Sequence, residues 1–125
     1  MTSTTAAQKP GAIEIRRAIS SDRPSMEDLL RTNALPLKGV HEHFGAFVVA
    51  TNESSVVGVA GVELYGESAL LRSVAVASKF RGADLGTRLT DAALALASAA
   101  GTTSVSLLTT TAGPFFSARG FAVVP

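Results

Sequence analysis

The sequence predicts a mixed α/β domain with about six strands, most of them antiparallel. Three observations predict this fold class. Strand-like apolar runs alternate with helix-like apolar stripes along the chain. Three of the strand patterns follow one another through short turns, which favours antiparallel neighbours. A later strand pattern returns through a helix, which favours a strand running parallel to the one before it.

Composition limits the class of protein. The chain has 125 residues, of which 46% are hydrophobic and 17% charged, so it is large enough for one domain with a core. The net charge of +1 indicates no nucleic acid partner, and the absence of cysteine excludes thiolate catalysis and fits the cytoplasm. No apolar run is long enough to span a membrane. Residues 1–12 predict a flexible tail without a targeting signal, and residues 13–125 predict the domain.

The first elements are a strand, a helix and a turn region. Residues 13–15 alternate as a strand, and a helix is predicted to begin near Asp22, with Pro24 in its first turn, and to end at Pro36. The predicted buried stripe of this helix comprises Met26, Leu29, Leu30 and Ala34. Residues 37–44 predict a short second helix or an irregular turn.

Three strands follow in the middle of the chain. Residues 47–50 and 56–65 predict two of them, and Gly58 and Gly61 within the second indicate a bulge or a close backbone approach. Residues 69–76 predict the central buried strand. Its apolar residues are Leu70, Leu71, Val74 and Val76.

The last third of the chain predicts two helices and two strands. A helix over residues 85–100 has an apolar stripe of Leu85, Leu89, Ala92, Ala93, Leu96 and Ala100. Gly101 follows, where a left-handed C-terminal cap favours glycine. Residues 105–108 predict a strand parallel to the central one, residues 113–119 a short helix, and residues 121–124 a sixth strand.

A basic, glycine-containing turn links the central strand to the long helix. A strand, a glycine turn and a helix N-terminus together form an anion site, because the unpaired amides of the first helical turn point outward. The turn lacks the Gly-Lys-Ser/Thr of a Walker A loop and does not fit G-x-G-x-x-G. Arg81 and Gly86, after the strand end Val74-Ala75-Val76, resemble motif A of the Gcn5-related N-acetyltransferases (GNAT), which is Arg/Gln-x-x-Gly-x-Gly/Ala.

This resemblance implies acetyl-coenzyme A as a co-substrate and a GNAT-like sheet with a splayed central strand and helices on both faces. It implies that the splayed strand binds the pantetheine arm through the backbones of Val74, Ala75 and Val76. It implies that the loop binds the pyrophosphate through Arg81, Gly82, Ala83, Asp84, Leu85, Gly86 and Thr87. The family has a seventh strand that this chain lacks, so we expect an exposed sheet edge that a homodimer would cover.

Two further segments extend the resemblance over residues 13–125. The sequence from Phe115 to Phe121 is similar to the family's Phe-Tyr-x-x-x-Gly-Phe ending. The run LLRSVAV and the Thr109-Thr110-Thr111 triplet look like the small arsenic-resistance N-acetyltransferases. The implied acceptor is a small-molecule amine, either amino-acid-like or an arsenical toxin.

Asp84 departs from the motif, which has glycine at this position. Two interpretations stay open. Asp84 caps the helix and the cofactor tolerates it, or its carboxylate accepts the amides that a phosphate needs and repels the phosphate.

The candidate general bases are Glu63, Glu67, His41 and His43. If Glu63 is buried beside apolar groups, its pKa rises toward the useful range, and the alternative is an outward-facing strand residue. His43 lies in the segment that forms the acceptor wall in the family, and the alternative is a solvated loop histidine. The spacing of His41 and His43 indicates no metal site, because residues i and i+2 of a helix do not share a face.

The tyrosine that commonly protonates the leaving thiolate in the family is replaced by Phe116. Ser117 and Tyr65 are candidate acids in its place, and for Tyr65 simple packing is the alternative. By resemblance, the backbone N–H of Val74 polarises the thioester carbonyl.

The remaining candidates are residues that bind the acceptor. They are Arg72, Ser73 and Thr110. Arg72 and Ser73 are expected to point to opposite faces of their strand. Arg72 is expected either to bind an anionic group of the acceptor or to pair with Glu63, Glu67 or Glu14.

The function predicted first is therefore an acetyl-coenzyme A-dependent N-acetyltransferase. The alternative is a GNAT-fold binding or interaction module with weak or no catalysis, which Asp84 and Phe116 favour. An unrelated phosphate-binding protein ranks last, because it explains the loop but not the order of elements.

Overall fold

One sheet organises the chain. The computed structural model describes residues 13–82, 84–107, 113–118 and 120–122. Five strands form the sheet in chain order: β1 (Ile13–Arg17), β2 (Phe47–Asn52), β3 (Ser55–Tyr65), β4 (Ser68–Val76) and β5 (Ser104–Ser106). The first four pair antiparallel, and β5 runs parallel to β4, as predicted. The predicted sixth strand is wrong at Phe121 and Ala122, which are not in a strand, and its other residues lie outside the described chain.

Helices cover both faces of the sheet, as predicted. They are α1 (Arg23–Thr32), α2 (Leu85–Ala99) and α3 (Gly113–Ala118). The buried residues of α1 pack with Phe47, Val49 and Val59 on one face. The buried residues of α2 pack with Phe116 and the opposite face of the strands. Residues 38–43 form turns and a 3-10 turn follows at Phe44–Ala46, so the irregular turn predicted at residues 37–44 is the form observed.

The stripe predicted for α1 is correct for Met26, Leu29 and Leu30, which are buried. It is wrong for Ala34, which is exposed and lies beyond the helix with a φ of 56°. The helix ends before Ala34 because the Leu35 amide donates to Leu30 O at 2.9 Å and the Ala34 amide donates to Arg31 O at 3.0 Å. These two bonds form the Schellman pattern, in which the residue after the C-cap is left-handed.

The long helix α2 follows its prediction closely. Leu85, Leu89 and Ala93 are buried in the core. Ala92 and Leu96 are half-buried, Ala100 is exposed at the C-cap, and the unpredicted Thr90 and Ala97 are buried. Gly101 has a φ of +93°, and the Thr102 amide donates to Ala97 O at 3.1 Å, which confirms the left-handed cap.

A bulge splays the central strand. The pairing of β4 with β3 shifts register between Ala75 and Arg72, and Ser73 has a φ of 61°. β4 pairs with β5 only over Ser68–Leu70, so within the described residues its edge beyond Leu70 has no strand partner. Burial alternates along the whole strand: Ala69, Leu71, Ser73 and Ala75 are buried, whereas Leu70, Val74 and Val76 are only half-buried, so the burial predicted for these three is wrong. The bulge changes the face toward which residues pack. Ala69 and Leu71 pack on the side of α2, but beyond the bulge Val74 and Val76 pack on that side and Ala75 packs on the side of α1, because the extra residue reverses the alternation of faces.

Gly58 and Gly61 mark close approaches, as predicted. A Cβ at Gly58 would lie 2.6 Å from Cδ1 of Leu89, and one at Gly61 would lie 2.6 Å from the ring of Phe47. Helix α2 and the Phe47 ring therefore pack directly onto the backbone of β3.

The turn before α1 depends on a buried carboxylate. Asp22 is 7% exposed, and its carboxylate accepts hydrogen bonds from Arg16 at 2.8 and 3.0 Å and from the Ile19 amide at 2.8 Å. The bonds from Arg16, helped by that from Ile19 and opposed by burial, hold the pKa of Asp22 below its ordinary value. The carboxylate thus joins β1 to the start of α1.

We expect Asp22→Asn to lower the free energy of unfolding by about 2 kcal/mol at neutral pH, because it removes charge-assisted hydrogen bonds in a largely buried place. The pKa of Asp22 is lower in the folded chain, so its contribution is complete above about pH 4 and is lost as the pH falls below that value. Urea unfolding at pH 7 and pH 3 measures both effects. Asp28→Asn is the matched control, since Asp28 pairs with Arg31 on the surface. An equal loss in both variants would contradict this role of Asp22.

Candidate functional site

A cleft of about 580 Å³ opens where β4 bulges. The turn region between α1 and β2 forms one wall, and the adjacent ends of β3 and β4 form the floor. Its lining residues are Leu35, Pro36, Lys38, Gly39, Glu42, His43, Glu63, Tyr65, Leu70, Leu71, Arg72 and Ser73. Five of the predicted site residues therefore meet in one cavity: His43, Glu63, Tyr65, Arg72 and Ser73.

An ion pair lies at the floor of this cleft. Arg72 Nη1 donates to Glu63 Oε2 at 2.5 Å, and both side chains are nearly buried, with 12% and 13% of their surface exposed. Of the partners expected for Arg72, the structure therefore selects Glu63. The outward-facing alternative for Glu63 is wrong, because β3 and β4 place it opposite Leu70 and beside the guanidinium.

The pKa of Glu63 moves opposite to the expectation. The Tyr65 hydroxyl donates a hydrogen bond to Glu63, and with Arg72 it holds the pKa of the carboxyl below its usual range, against the effect of burial. The same bond raises the pKa of Tyr65. Glu63 is therefore an ionised, hydrogen-bonded carboxylate, and to accept a proton it would have to weaken these bonds.

The two histidines have different surroundings. His43 lines the cleft, where its Nε2 lies 4.0 Å from Glu63 Oε1 and its ring packs edge-on against Tyr65 with centroids 5.8 Å apart. His41 is exposed and its Nδ1 lies 2.7 Å from Nη1 of Arg23. His43 is thus the histidine that faces the candidate site. Among the described residues, no group of three or more His, Asp or Glu side chains is arranged to hold a metal ion.

The other acid and acceptor candidates lie apart from this group. Glu67 is exposed in the turn between β3 and β4 and does not line the cleft. Ser117 is exposed on α3, and among the described residues it is not part of the cleft wall. Phe116 is 9% exposed and packs against the rings of Phe115 and Phe121. Thr110 lies outside the described residues.

Ser73 and Arg72 do not point to opposite faces, so that expectation is wrong. Arg72 Nε donates to Ser73 Oγ at 2.9 Å. The left-handed backbone of Ser73 breaks the strand alternation, which turns its side chain toward the same side as Arg72. Both residues therefore reach the cleft.

The predicted pyrophosphate loop lies between β4 and α2. Arg81 Nε donates to Val76 O at 3.1 Å, and its Nη2 donates to Oδ1 of Asn33 at 2.6 Å. The Arg81 side chain thus ties the loop to the end of β4 and to the end of α1. Gly82 is exposed with a φ of +85°, and a Cβ there would meet no atom of the described residues within 4 Å. The backbone at Gly82 is therefore open to a ligand.

The first turn of α2 presents its backbone in the same region. Leu85 is buried and contributes only its backbone to this surface. Gly86 and Thr87 are half-buried, and a Cβ at Gly86 would lie 3.7 Å from the Phe115 ring, which is an ordinary contact. Ala83 lies outside the described residues.

Asp84 makes no side-chain cap bond to α2, so the capping bond expected in both interpretations is absent within the described residues, and the effect of its charge on the cofactor stays a prediction. Asp84 occupies the N-cap position, is exposed, and has a left-handed φ of 65°. Glycine adopts this conformation freely, which is a physical reason for the glycine of motif A. The amides at the start of α2 are left for another acceptor, although the charge of Asp84 stays near them.

This geometry fits an acyl-coenzyme A. The loop and the first turn of α2 offer backbone N–H groups for a pyrophosphate. Among the described residues, the β4 edge at Val74, Ala75 and Val76 has no strand partner and offers backbone groups for the amides of a pantetheine arm, with Val76 O already bonded to Arg81. The same edge begins at the bulge that borders the cleft, so a thioester at its end would meet an acceptor held there.

Sequence reasoning missed the contribution of the cleft wall. Pro36, Lys38 and Gly39 line the cleft together with His43. Gly39 has a φ of +87°, and a Cβ there would overlap Arg72 Nη1 and lie 2.9 Å from Glu63 Oε2. The Pro-Leu-Lys-Gly run indicates a turn, but which strands the turn would cover is decided only by the fold.

A strand edge without a partner in the described residues, an exposed helix start and an adjoining cleft fit an acyltransferase that uses a nucleotide cofactor. The family described as "Acetyltransferase (GNAT) domain" matches residues 43–123. The chain belongs to this GNAT acetyltransferase family, in which acetyl-coenzyme A is the co-substrate. The predicted fold, enzyme class and co-substrate are thus confirmed at the level of the family.

Solved structures agree with this assignment. Rv2747 from Mycobacterium tuberculosis, in complex with coenzyme A, is 28% identical with a TM-score of 0.80, over 90% of this chain and 73% of that one. Ard1 from Thermoplasma volcanium is 28% identical with a TM-score of 0.78, over 91% and 85%. The N-acetylglutamate synthase of Neisseria gonorrhoeae shares the fold at 21% identity and a TM-score of 0.78, over 89% of this chain. This chain spans only 28% of that synthase.

No curated protein matches the sequence at a significant level.

In the part of the chain that the structure describes, no helix is both long and apolar enough to cross a membrane.

Proposed function

We propose that the protein is an N-acetyltransferase that moves the acetyl group of acetyl-coenzyme A to the amine of a small molecule. The observation that carries this proposal is the free edge of β4, which leads from the anion-binding loop to a cleft containing His43 and Glu63. A cofactor arm along this edge would deliver its thioester beside those side chains.

The chain's groups support a direct transfer. His43 accepts the proton of the acceptor amine, whose nitrogen forms the new C–N bond as the C–S bond breaks. The Val74 amide stabilises the negative charge that develops on the carbonyl oxygen. The leaving thiolate takes its proton from solvent, since Phe116 has no acidic group, Ser117 lies away from the cleft, and the Tyr65 hydroxyl already donates to Glu63. The Glu63–Arg72 pair stays charged throughout.

The acceptor that we propose is amino-acid-like. Besides the Glu63–Arg72 pair, the cleft is lined by Lys38 and Glu42, two opposite charges that suit a zwitterion. The neisserial synthase was solved with N-acetyl-glutamate, which supports the same class. Within the amino-acid-like class, the LLRSVAV run supports an amino acid that carries arsenic. A homodimer, a cytoplasmic location and a single domain over residues 13–125 are parts of the same proposal.

Calorimetry with acetyl-coenzyme A on the wild type and on Asp84→Gly tests the cofactor half. We expect both to bind, the variant about tenfold more tightly, because it removes a like charge near the phosphates. Thiol release with a panel of amino acids, amino sugars and polyamines tests the acceptor half. No binding by either protein would overturn the proposal.

The second candidate is a GNAT-fold module without catalysis. The buried Phe116, which replaces the common tyrosine, is the observation that favours it. Binding of acetyl-coenzyme A without thiol release for any amine would support this candidate over the enzyme.

A further inference from the structure

The Arg72 guanidinium contacts its strand neighbour and two other segments around the cleft. Its Nη1 donates to Glu63 on β3 at 2.5 Å, its Nη2 donates to Pro36 O in the cleft wall at 3.2 Å, and its Nε donates to Ser73 Oγ at 2.9 Å. Ser73 is the next residue on β4, Glu63 lies nine residues earlier on the neighbouring strand, and Pro36 lies 36 residues earlier. The Arg72 side chain therefore links the wall of the cleft, the Glu63 carboxylate and the bulge of β4.

The bulge needs such support. Ser73 is a left-handed residue other than glycine, and a backbone of this kind persists only where its surroundings hold it. Its hydroxyl accepts the Arg72 bond, and Ser73 is 9% exposed. The next residue is Val74, whose amide we assign to the carbonyl oxygen. The direction of that amide depends on the backbone angles of Ser73.

The cleft wall depends on the same group. Gly39 packs so closely that a Cβ would overlap Arg72 Nη1. The Pro36 carbonyl lies on the guanidinium from the same wall. An acceptor carboxylate would have to displace Glu63 to gain this face of Arg72, which argues against Arg72 as an acceptor-binding group.

We propose that Arg72 is a positioning residue that holds the β4 bulge, Glu63 and the cleft wall in one arrangement. It thereby sets the rate of acetyl transfer rather than the affinity for either substrate. This inference rests on the proposed acetyltransferase function.

Arg72→Lys is the first variant, because it keeps a charge for Glu63 but cannot reach three partners at once. We expect kcat to fall about 100-fold through lost orientation, with the acetyl-coenzyme A Kd and the amine KM within about twofold of wild type. Guanidinium ion at millimolar concentration is expected to restore part of the kcat of Arg72→Ala. Arg31→Ala, which removes a surface arginine of α1, is the matched control and should keep full activity. If Arg72→Ala does not fold, the lysine variant carries the test.

Two kinetic results would overturn the inference: an unchanged kcat, whatever the amine KM, or a loss of acetyl-coenzyme A affinity as large as the loss of kcat. Amide hydrogen exchange gives a readout that needs no turnover. We expect faster exchange at residues 36–40 and 72–76 in Arg72→Lys, with unchanged exchange in the core of α2. Unchanged exchange at these residues would overturn the positioning role even in an active enzyme. A wild type without turnover would instead overturn the proposed function, and with it the catalytic part of this inference.

Discussion

Replacing Gly61 with alanine is expected to lower the free energy of unfolding by about 3 kcal/mol, because a core this tightly packed has no room for the added methyl group. Three ring atoms of Phe47 would lie 2.6 Å from the new Cβ. Phe47 is fully buried against α1 and pairs with Gly61 across β2 and β3, so the ring has no free direction to move. Urea unfolding and the melting temperature, which should fall by about 10 °C, measure the effect.

Gly45→Ala is the matched control. Gly45 has no atom within 4 Å of an added Cβ and its φ lies outside the left-handed region, so we expect a change within about 0.5 kcal/mol. A Gly61→Ala, Phe47→Leu double variant replaces the Phe47 ring with a smaller side chain. It should recover part of the lost stability, because the two side chains occupy the same space. Equal stability of Gly61→Ala and Gly45→Ala would show that β3 moves to accommodate the methyl group.

The regular elements could be predicted because their signals are local. The stripe of α2 repeats every three to four residues, and Gly101 stands where a left-handed cap needs it. The same reasoning failed at Ala34, since a left-handed alanine carries no such signal and only the bonds of the helix end reveal it. The local sequence therefore predicts that helix α1 forms, but it does not predict the residue at which the helix ends.

The candidate site could be predicted only in part. Glu63 and Arg72 are opposite charges on neighbouring strands, so their pairing was among the expected outcomes. The resemblance implied a splayed central strand, but the position of its bulge at Ser73 was not predicted, because serine carries no signal for a left-handed strand residue. That bulge turns the Ser73 side chain toward Arg72. The direction of the Glu63 pKa shift also depends on Tyr65, whose contact arises from the fold.

The largest expected effect on activity belongs to His43. His43→Gln is expected to lower kcat/KM for acetyl transfer by about 100- to 1,000-fold, because a positioned base contributes this much to a proton transfer. His43 faces the cleft at 4.0 Å from Glu63, and no hydrogen bond within the described residues commits its ring nitrogens. Initial rates of thiol release at saturating acetyl-coenzyme A measure the loss.

Two further variants test whether His43, rather than a neighbouring residue, is the general base. His41→Gln changes a histidine that pairs with Arg23 outside the cleft, and it should keep wild-type activity. Glu63→Gln should reduce the rate less than His43→Gln, since Glu63 is already bonded to Tyr65 and Arg72 and would give up those bonds to take a proton. The reverse order, with Glu63→Gln the slower enzyme and His43→Gln near wild type, would assign the base to Glu63. In that case the amine would lose its proton through the carboxylate, and the ion pair with Arg72 would have to open in each turnover.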